Sequence, residues 1–314
     1  MVIRFWGVRG SLPAPLLPSQ VQEKIAFVVR HIQAHDIEST ASRERFLSEL
    51  PLWIFGTVGG NTTCLSVSFD DDPANLLIFD AGSGIRELGL SESQRGKTAR
   101  HYHIFFSHFH WDHIMGLPFF LPAYNPASSL DFYSPKPQLK AILSKQMEIP
   151  YFPATMDSFT HQILFHHITG SVSLCGSTIY YRKMYHPGDS YSYVVDDGQH
   201  RFLFATDVEL RDADFCINEE NKAFFQNIDL AVIDSQYTLE EFIEKFDWGH
   251  GAFSSAVDFA AHWGMKHLIL FHHEPVYHDK KLYAILKASE DHIKSHKKAG
   301  LRVTLATEEL EISI

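Results

Sequence analysis

Cysteine is scarce in this chain. Its three residues, Cys64, Cys175 and Cys216, are far apart and odd in number among 314 positions. They form neither a CxxC metal knuckle nor a disulfide framework, so a reducing, cytoplasmic setting is expected. Long apolar runs are missing too. No stretch of 18 or more apolar residues occurs, which argues against a spanning helix and a membrane partner. The opening "MVIRFWGVRG" lacks the charged, apolar and small-residue sections of a secretion signal. Positive charge is in deficit, with 27 Lys and Arg against 38 Asp and Glu and a net charge of −11. DNA or a long RNA would be repelled by most of such a surface. Repeats, low-complexity tracts and a linker are likewise absent, so residues 1–314 are expected to form a single domain.

What the chain does have is apolar bulk, 45% of its residues, and 20 histidines. The first is enough for a sizeable core. Strand-like segments come early: "VIRFWGV" (2–8), "CLSVSF" (64–69) and "LLIFD" (76–80), each rich in branched or aromatic residues and closed by Gly or Asp. Between the first two, Val21, Ile25, Val28, Val29 and Ile32 recur at helical spacing, with Phe46, Leu47 and Leu50 before Pro51. Residues 18–50 therefore read as a helical insertion, the whole departure spanning about 12–55. A packed helical hairpin extending the core is the expected role; a lid or a contact in a homo-oligomer is the other.

Further along, "YHIFF" (102–106) and "LDFYS" (130–134) read as strands, and "YSYVVDDGQHRFLFATD" (191–207) as a hairpin turning at Asp-Asp-Gly. A strand follows in "NIDLAVIDSQY", then a helix over 254–264, a strand over 267–274, a helix over 279–297 and a strand over 301–305. Strands dominate early and alternate with helices later, which suits an α/β layered fold with mixed sheets.

The stretch that carries chemistry is "SHFHWDH" (107–113), three histidines and an aspartate between two apolar runs. In an extended loop His108 and His110 project to one side and Asp112 continues the row, while His113 breaks it. Such a fan reaches two adjacent cations, and imidazole with carboxylate suits Zn²⁺, or Mn²⁺ or Fe²⁺. His and Asp each fill 20 of the 314 positions, so chance gives HxHxDH in roughly 0.5% of such chains. Further donors stand at expected strand ends: His186, Asp207, and His272 with its neighbour His273. Open α/β sheets place their sites at such carboxyl-terminal ends.

These residues resemble the signature of the metallo-β-lactamase superfamily. Its order is followed by "DAGSG" with Asp80, the histidine cluster, His186, Asp207 and His272. "FWGVRGSLP", "GGNTTC", "HPGDSYSY", "DLAVIDSQYT", "WGHGAF" and "LFHHEP" are similar to the branch containing ribonuclease Z and phosphoribosyl cyclic phosphate phosphodiesterase. The resemblance implies a four-layer αββα sandwich of two mixed β-sheets flanked by helices. It implies two divalent metal ions, one on His108, His110 and His186 and one on Asp112, His113 and His272, with Asp207 between them and His273 as the alternative to His272. Asp80 would orient a ligand imidazole, or close a strand-end turn. His250 in "WGHGAF", paired with Asp234, would face a scissile phosphate; a solvated loop histidine is the plainer reading. Arg9 and Asn61 lie in glycine-bearing loops, where Arg9 could grip a phosphate or sit in an internal salt bridge. Asp112 could also orient the nucleophile. No long basic arm of the kind that grips transfer RNA is found. The implied function is hydrolysis of a small or cyclic anionic phosphodiester by a dinuclear centre. A thioester or lactone hydrolase, or a metal-stabilised sensor without catalysis, are the alternatives.

Overall fold

The computed structural model describes residues 1–95, 100–295 and 300–314. Strands β1 (Val2–Gly7), β2 (Cys64–Ser68), β3 (Asn75–Phe79), β4 (His101–Phe105), β5 (Ser129–Ser134) and β6 (Ile163–His167) come first. They are followed by β7 (Val172–Leu174), β8 (Ser177–Met184), β9 (Ser190–Asp196), β10 (Arg201–Ala205), β11 (Leu230–Asp234), β12 (His267–Phe271), β13 (Arg302–Leu305) and β14 (Glu311–Ser313). They form two seven-stranded sheets, β14-β1-β2-β3-β4-β5-β6 and β13-β12-β11-β10-β9-β8-β7. Each sheet is mixed. Pairing from β3 to β6 and from β10 to β13 is parallel, and the remaining strands pair antiparallel. This is the α/β sandwich expected.

The period-two alternation of the strands divides the core into layers. Leu77 and Phe79 of β3 and Phe202 and Phe204 of β10 meet between the sheets. Their neighbours Leu76 and Ile78 turn to an outer layer with Ile85, Leu88, Leu139 and Leu143. Leu203 and Ala205 turn to the opposite one with Phe225, Phe259 and Leu282. Strands covered on both faces are apolar almost throughout, and each fully buried phenylalanine stabilises the fold by roughly 1.5–3 kcal/mol.

The insertion departs from expectation. Helices cover Pro18–His31, Thr40–Glu49 and Leu52–Phe55, but the first has no buried residue, and Val21, Ile25 and Val29 face solvent. It is held from its other side, by Phe27 edge-on to Trp53 at 5.5 Å and by Lys24 paired with Asp279 at 2.6 Å. Of the apolar stripe read as a packing face, Val21, Ile25 and Val29 are therefore outside any core, while Val28 and Ile32 are half-buried. The last helix runs Asp279–Ser295, and the expected end at 296–297 lies outside the described residues. Among the described residues no helix is long and apolar enough to cross a membrane.

One core group is expected to make the fold sensitive to acid. His267 is buried at the start of β12, its Nε2 2.8 Å from Thr304 Oγ1. Burial, with Arg302 nearby, lowers its pKa from 6.5 to about 4. Between those values the unfolded chain takes the proton and the folded chain does not. Its contribution is thus complete above pH 6.5 and lost as pH falls toward 4. Replacing His267 with Gln should make the fall of Tm between pH 7 and pH 5 shallower than in the parent. An unchanged slope would assign the acid sensitivity elsewhere.

Candidate metal centre

Strands β1, β3, β4, β8, β10, β11 and β12 end on one rim of the sandwich, and each delivers a chemical group there. β4 runs into the loop that carries His108 and His110. The next residues, Trp111–Ile114, form one helical turn rather than continuing the extended loop. That turn is why the adjacent Asp112 and His113 can both face the same centre. β8 leads to His186, β10 to Asp207, β11 to Asp234 and β12 to His272.

Two donor sets result. His108, His110, His186 and Asp207 place one ligand atom each within 4.8 Å of one another, and so do Asp112, His113, Asp207 and His272. Asp207 is common to both, and its two oxygens face different ways. Oδ1 lies 3.6 Å from His108 Nε2 and 3.9 Å from His186 Nε2. Oδ2 lies 3.0 Å from His113 Nε2 and 3.1 Å from His272 Nε2. His110 Nδ1 and His186 Nε2 are 3.2 Å apart. Asp112 Oδ2 is 3.1 Å from His113 Nε2 and 3.4 Å from His272 Nε2.

The groups behind these donors decide which nitrogen each ring presents. Asp80 accepts from His113 Nδ1 at 2.8 Å and from the Ser107 hydroxyl at 2.6 Å. Because that hydroxyl gives its proton to Asp80, its oxygen can accept from His108 Nδ1, 3.1 Å away. Asp80 thus steers two imidazoles. His186 Nδ1 donates to the carbonyl of Gly249 at 2.8 Å. His272 Nδ1 lies 3.5 Å from Asp234 Oδ2. In His108, His113 and His186 the outer nitrogen is paired and Nε2 faces inward, the arrangement that metal-ligating histidines adopt. Replacing Asp80 with Asn should weaken metal retention by about 10–100-fold, read by competition with a chelator. Unchanged retention would show that the two rings need no such guide.

Do these residues fit divalent cations? The Nε2 atoms of His108 and His113 are buried without a hydrogen-bond partner. A buried polar atom in that state is costly unless something pairs with it. Burial holds His108, His110 and His186 below the ordinary imidazole range, which is the neutral, ligating form. Burial opposes ionisation of Asp112 and Asp207, yet the charge of His113 holds both well below the carboxylate range. His113 itself is pushed up, against burial, by Asp207, Asp112 and Asp80. Carboxylates that demand so much positive charge, facing neutral imidazole lone pairs, suit a pair of divalent ions.

The loops around the donors are built for close approach. Gly249 has φ +88°, and a Cβ there would stand 2.3 Å from His186 Nδ1. A Cβ on Gly10 would meet the His272 ring at 2.5 Å. Asp80, Asp207 and His272 all take left-handed backbone, with φ of 60°, 51° and 62°. Such conformations are uncommon outside glycine and concentrate at functional sites. His250 Nδ1 donates to Asp234 Oδ2 at 2.8 Å, and Asp234 Oδ1 accepts from the Gly251 amide at 3.0 Å. Burial works against a charge on His250, but Asp234 and then Asp207 raise its pKa to about 9. A cleft of about 400 Å³, lined by Ser11, Phe109, His110, Trp111, Asp112, Asp207 and His250, opens over the centre.

Two sequence expectations are corrected, and one alternative falls away. Arg9 does not face the cleft. Its Nε donates to the Gly59 carbonyl at 2.9 Å and its Nη1 to that of Tyr277 at 2.8 Å, and Asp279 lies 3.9 Å away. It is a buried brace, so the internal salt-bridge reading prevails over phosphate binding. Asn61 is a brace as well, donating to Glu308 at 3.1 Å and accepting from Ser83 at 2.9 Å. His273 points away, its Nε2 2.9 Å from the Ala306 carbonyl, and so His272 is the residue in the cluster. Three contributors escaped the sequence reading. The buried Glu209 accepts from the Gly249 amide at 3.1 Å and so holds the loop that steers His186. The Ser11 amide donates to Asp112 Oδ2 at 2.8 Å. Trp111, 80% exposed, stands at the mouth. A tryptophan inside a ligand motif was the one available signal.

Residues 75–273, well over half of the chain, match the family described as the beta-lactamase superfamily domain. The chain belongs to the metallo-β-lactamase superfamily. No curated protein matches its sequence. Among solved structures it is similar to the metallo-beta-lactamase fold protein YhfI from Bacillus subtilis, 14% identical, with a TM-score of 0.63 over 99% of this chain and 98% of that one. A diphosphatase from the PhnP family is 16% identical, with a TM-score of 0.60 over 100% and 97% of the chains. The short form of human tRNase Z is 15% identical, with a TM-score of 0.59 over 100% and 99%. At such identities the likeness establishes the superfamily's fold.

Proposed function

We propose that this superfamily member is a dinuclear metal-dependent hydrolase, a phosphodiesterase acting on a small or cyclic phosphodiester. The carrying observation is one carboxylate, Asp207, shared by two donor sets beside the Asp234–His250 pair. His108, His110 and His186 would hold one ion and Asp112, His113 and His272 the other, with Asp207 between them. Zn²⁺ suits this donor chemistry first, with Mn²⁺ or Fe²⁺ as alternatives. When bound, such a pair supplies Lewis acidity toward phosphoryl oxygens and acidifies water.

The chain's own residues supply the rest. Asp234 fixes the Nδ1 proton of His250, which leaves Nε2 to donate toward a phosphate oxygen or the departing oxygen. Asp112, held by the Ser11 amide, is placed to orient the attacking water. The cleft's volume is that of a small-ligand pocket. In a protein of net charge −11 the positive focus is local, which favours a small anion over a long nucleic acid.

Turnover of bis(p-nitrophenyl) phosphate, a thioester and a lactone by metal-loaded protein separates the readings. Cleavage of the phosphodiester is expected. Cleavage of the carbon esters alone would overturn the phosphodiesterase assignment. Inertness to all three would favour a metal-stabilised sensor.

A further inference from the structure

We propose a second, separate transition-metal site at the opposite end of β4, made by His101, His103, Asp131 and His166. These residues lie on three adjacent strands and on one face of the first sheet. His103 pairs in register with Asp131, and His166 with Tyr133, two positions further along β5. By strand rise, His103 sits roughly 16 Å from His108, so this cluster shares no donor with the centre described above.

The donors converge on one carboxylate oxygen. His101 Nε2 and His166 Nε2 each lie 3.3 Å from Asp131 Oδ2, and His103 Nδ1 lies 3.9 Å from it. Ligand atoms of His101, His103 and Asp131 all lie within 4.8 Å of one another. Neither His101 Nε2 nor His166 Nε2 makes a hydrogen bond, although both atoms are buried. Atoms so placed are unsatisfied as hydrogen-bond partners but suited to converge on a shared cation.

The third imidazole is oriented from behind. Asp72 accepts from Asn75 Nδ2 at 2.8 and 2.9 Å. The Asn75 side-chain oxygen therefore faces His103 Nε2, 2.9 Å away, and accepts a hydrogen bond from it. The lone pair of His103 is left on Nδ1, toward Asp131. The Tyr133 hydroxyl, 3.3 Å from His103 Nδ1, gives its proton to Asp131 at 3.1 Å. This carboxylate–amide–imidazole relay does for His103 what Asp80 does for His113. His101 and His166 side chains are 36% and 37% exposed, which leaves an entry path. His101, His103 and Asp131, completed by His166 beside Asp131, would make a four-donor set suited to Zn²⁺ or its neighbours Co²⁺ and Ni²⁺. With no open coordination position the ion would clamp β4, β5 and β6 together rather than catalyse.

The test loads metal-stripped full-length protein with Zn²⁺, dialyses it and counts zinc by elemental analysis. The double variant His101→Ala/His166→Ala should hold one zinc fewer than the parent while keeping its turnover within about two-fold. Equal zinc in the two proteins would overturn the site. Should the variant not fold, anomalous diffraction from zinc-loaded parent crystals decides. A peak at bonding distance from His101 Nε2 and Asp131 Oδ2, about 2.0–2.2 Å, supports the site, and no peak there overturns it. Neither readout depends on catalysis at the rim centre.

Discussion

Replacing Asp207 with Ala should abolish both retention of the metal pair and turnover. Asp207 is the carboxylate shared by the two donor sets, with Oδ1 toward His108 and His186 and Oδ2 toward His113 and His272. It is almost wholly buried, so water cannot take its place without rearranging the rim. Without it, each set loses a negative oxygen, and the positive charge that His113 owes first to Asp207 weakens. Divalent ions contribute several kcal/mol to such reactions, and about 4 kcal/mol is on the order of 10³-fold in rate. Elemental analysis should find fewer than one ion per chain at the rim, and turnover should fall by at least that factor. A variant that keeps two ions there would remove the shared carboxylate from the account.

The second large effect should separate chemistry from metal binding. His250→Ala is expected to keep its rim metals and lose roughly 10²–10⁴-fold in kcat, the usual contribution of a placed acid or base. His250 is not in either donor set that includes Asp207. It reaches the centre through its pairing with Asp234 and by stacking on the His272 ring at 5.0 Å. Asp234 is a less clean target, because its Oδ2 also lies 3.5 Å from His272 Nδ1, so Asp234→Asn should disturb retention and rate together. If His250→Ala turns substrate over at the parent rate with metal in place, His250 has no part in the reaction.

Much of the centre could be read without coordinates. The HxHxDH run carries four donors in six positions, and imidazole and carboxylate chemistry named a metal before any geometry was known. His186, Asp207 and His272 stood out because each follows an apolar, branched run, which marks the end of a strand. The two sheets were legible for the same reason, since β3, β10, β11 and β12 each carry an apolar run bounded by polar residues. Where reading failed, the local pattern had two outlets. The stripe Val21, Ile25 and Val29 is amphipathic by spacing, but spacing cannot say whether a core exists on that side, and here it faces solvent. Arg9 and Asn61 lie in loops that do approach the rim, yet buried carbonyls and the carboxylates of Asp279 and Glu308 claim their side chains from within.

The division has a physical basis. Side-chain chemistry and the period of apolar residues are local properties, so the amino-acid order alone determined the α/β class, the strand ends and the kinds of donor available. The direction of a ring is not local. His272 rather than His273 enters the cluster because a left-handed turn at φ 62° follows β12. The buried Glu209 matters only because a loop forty residues later folds back to give it the Gly249 amide. Such choices follow from contacts between segments far apart in the chain, and these exist only once the sheets have paired.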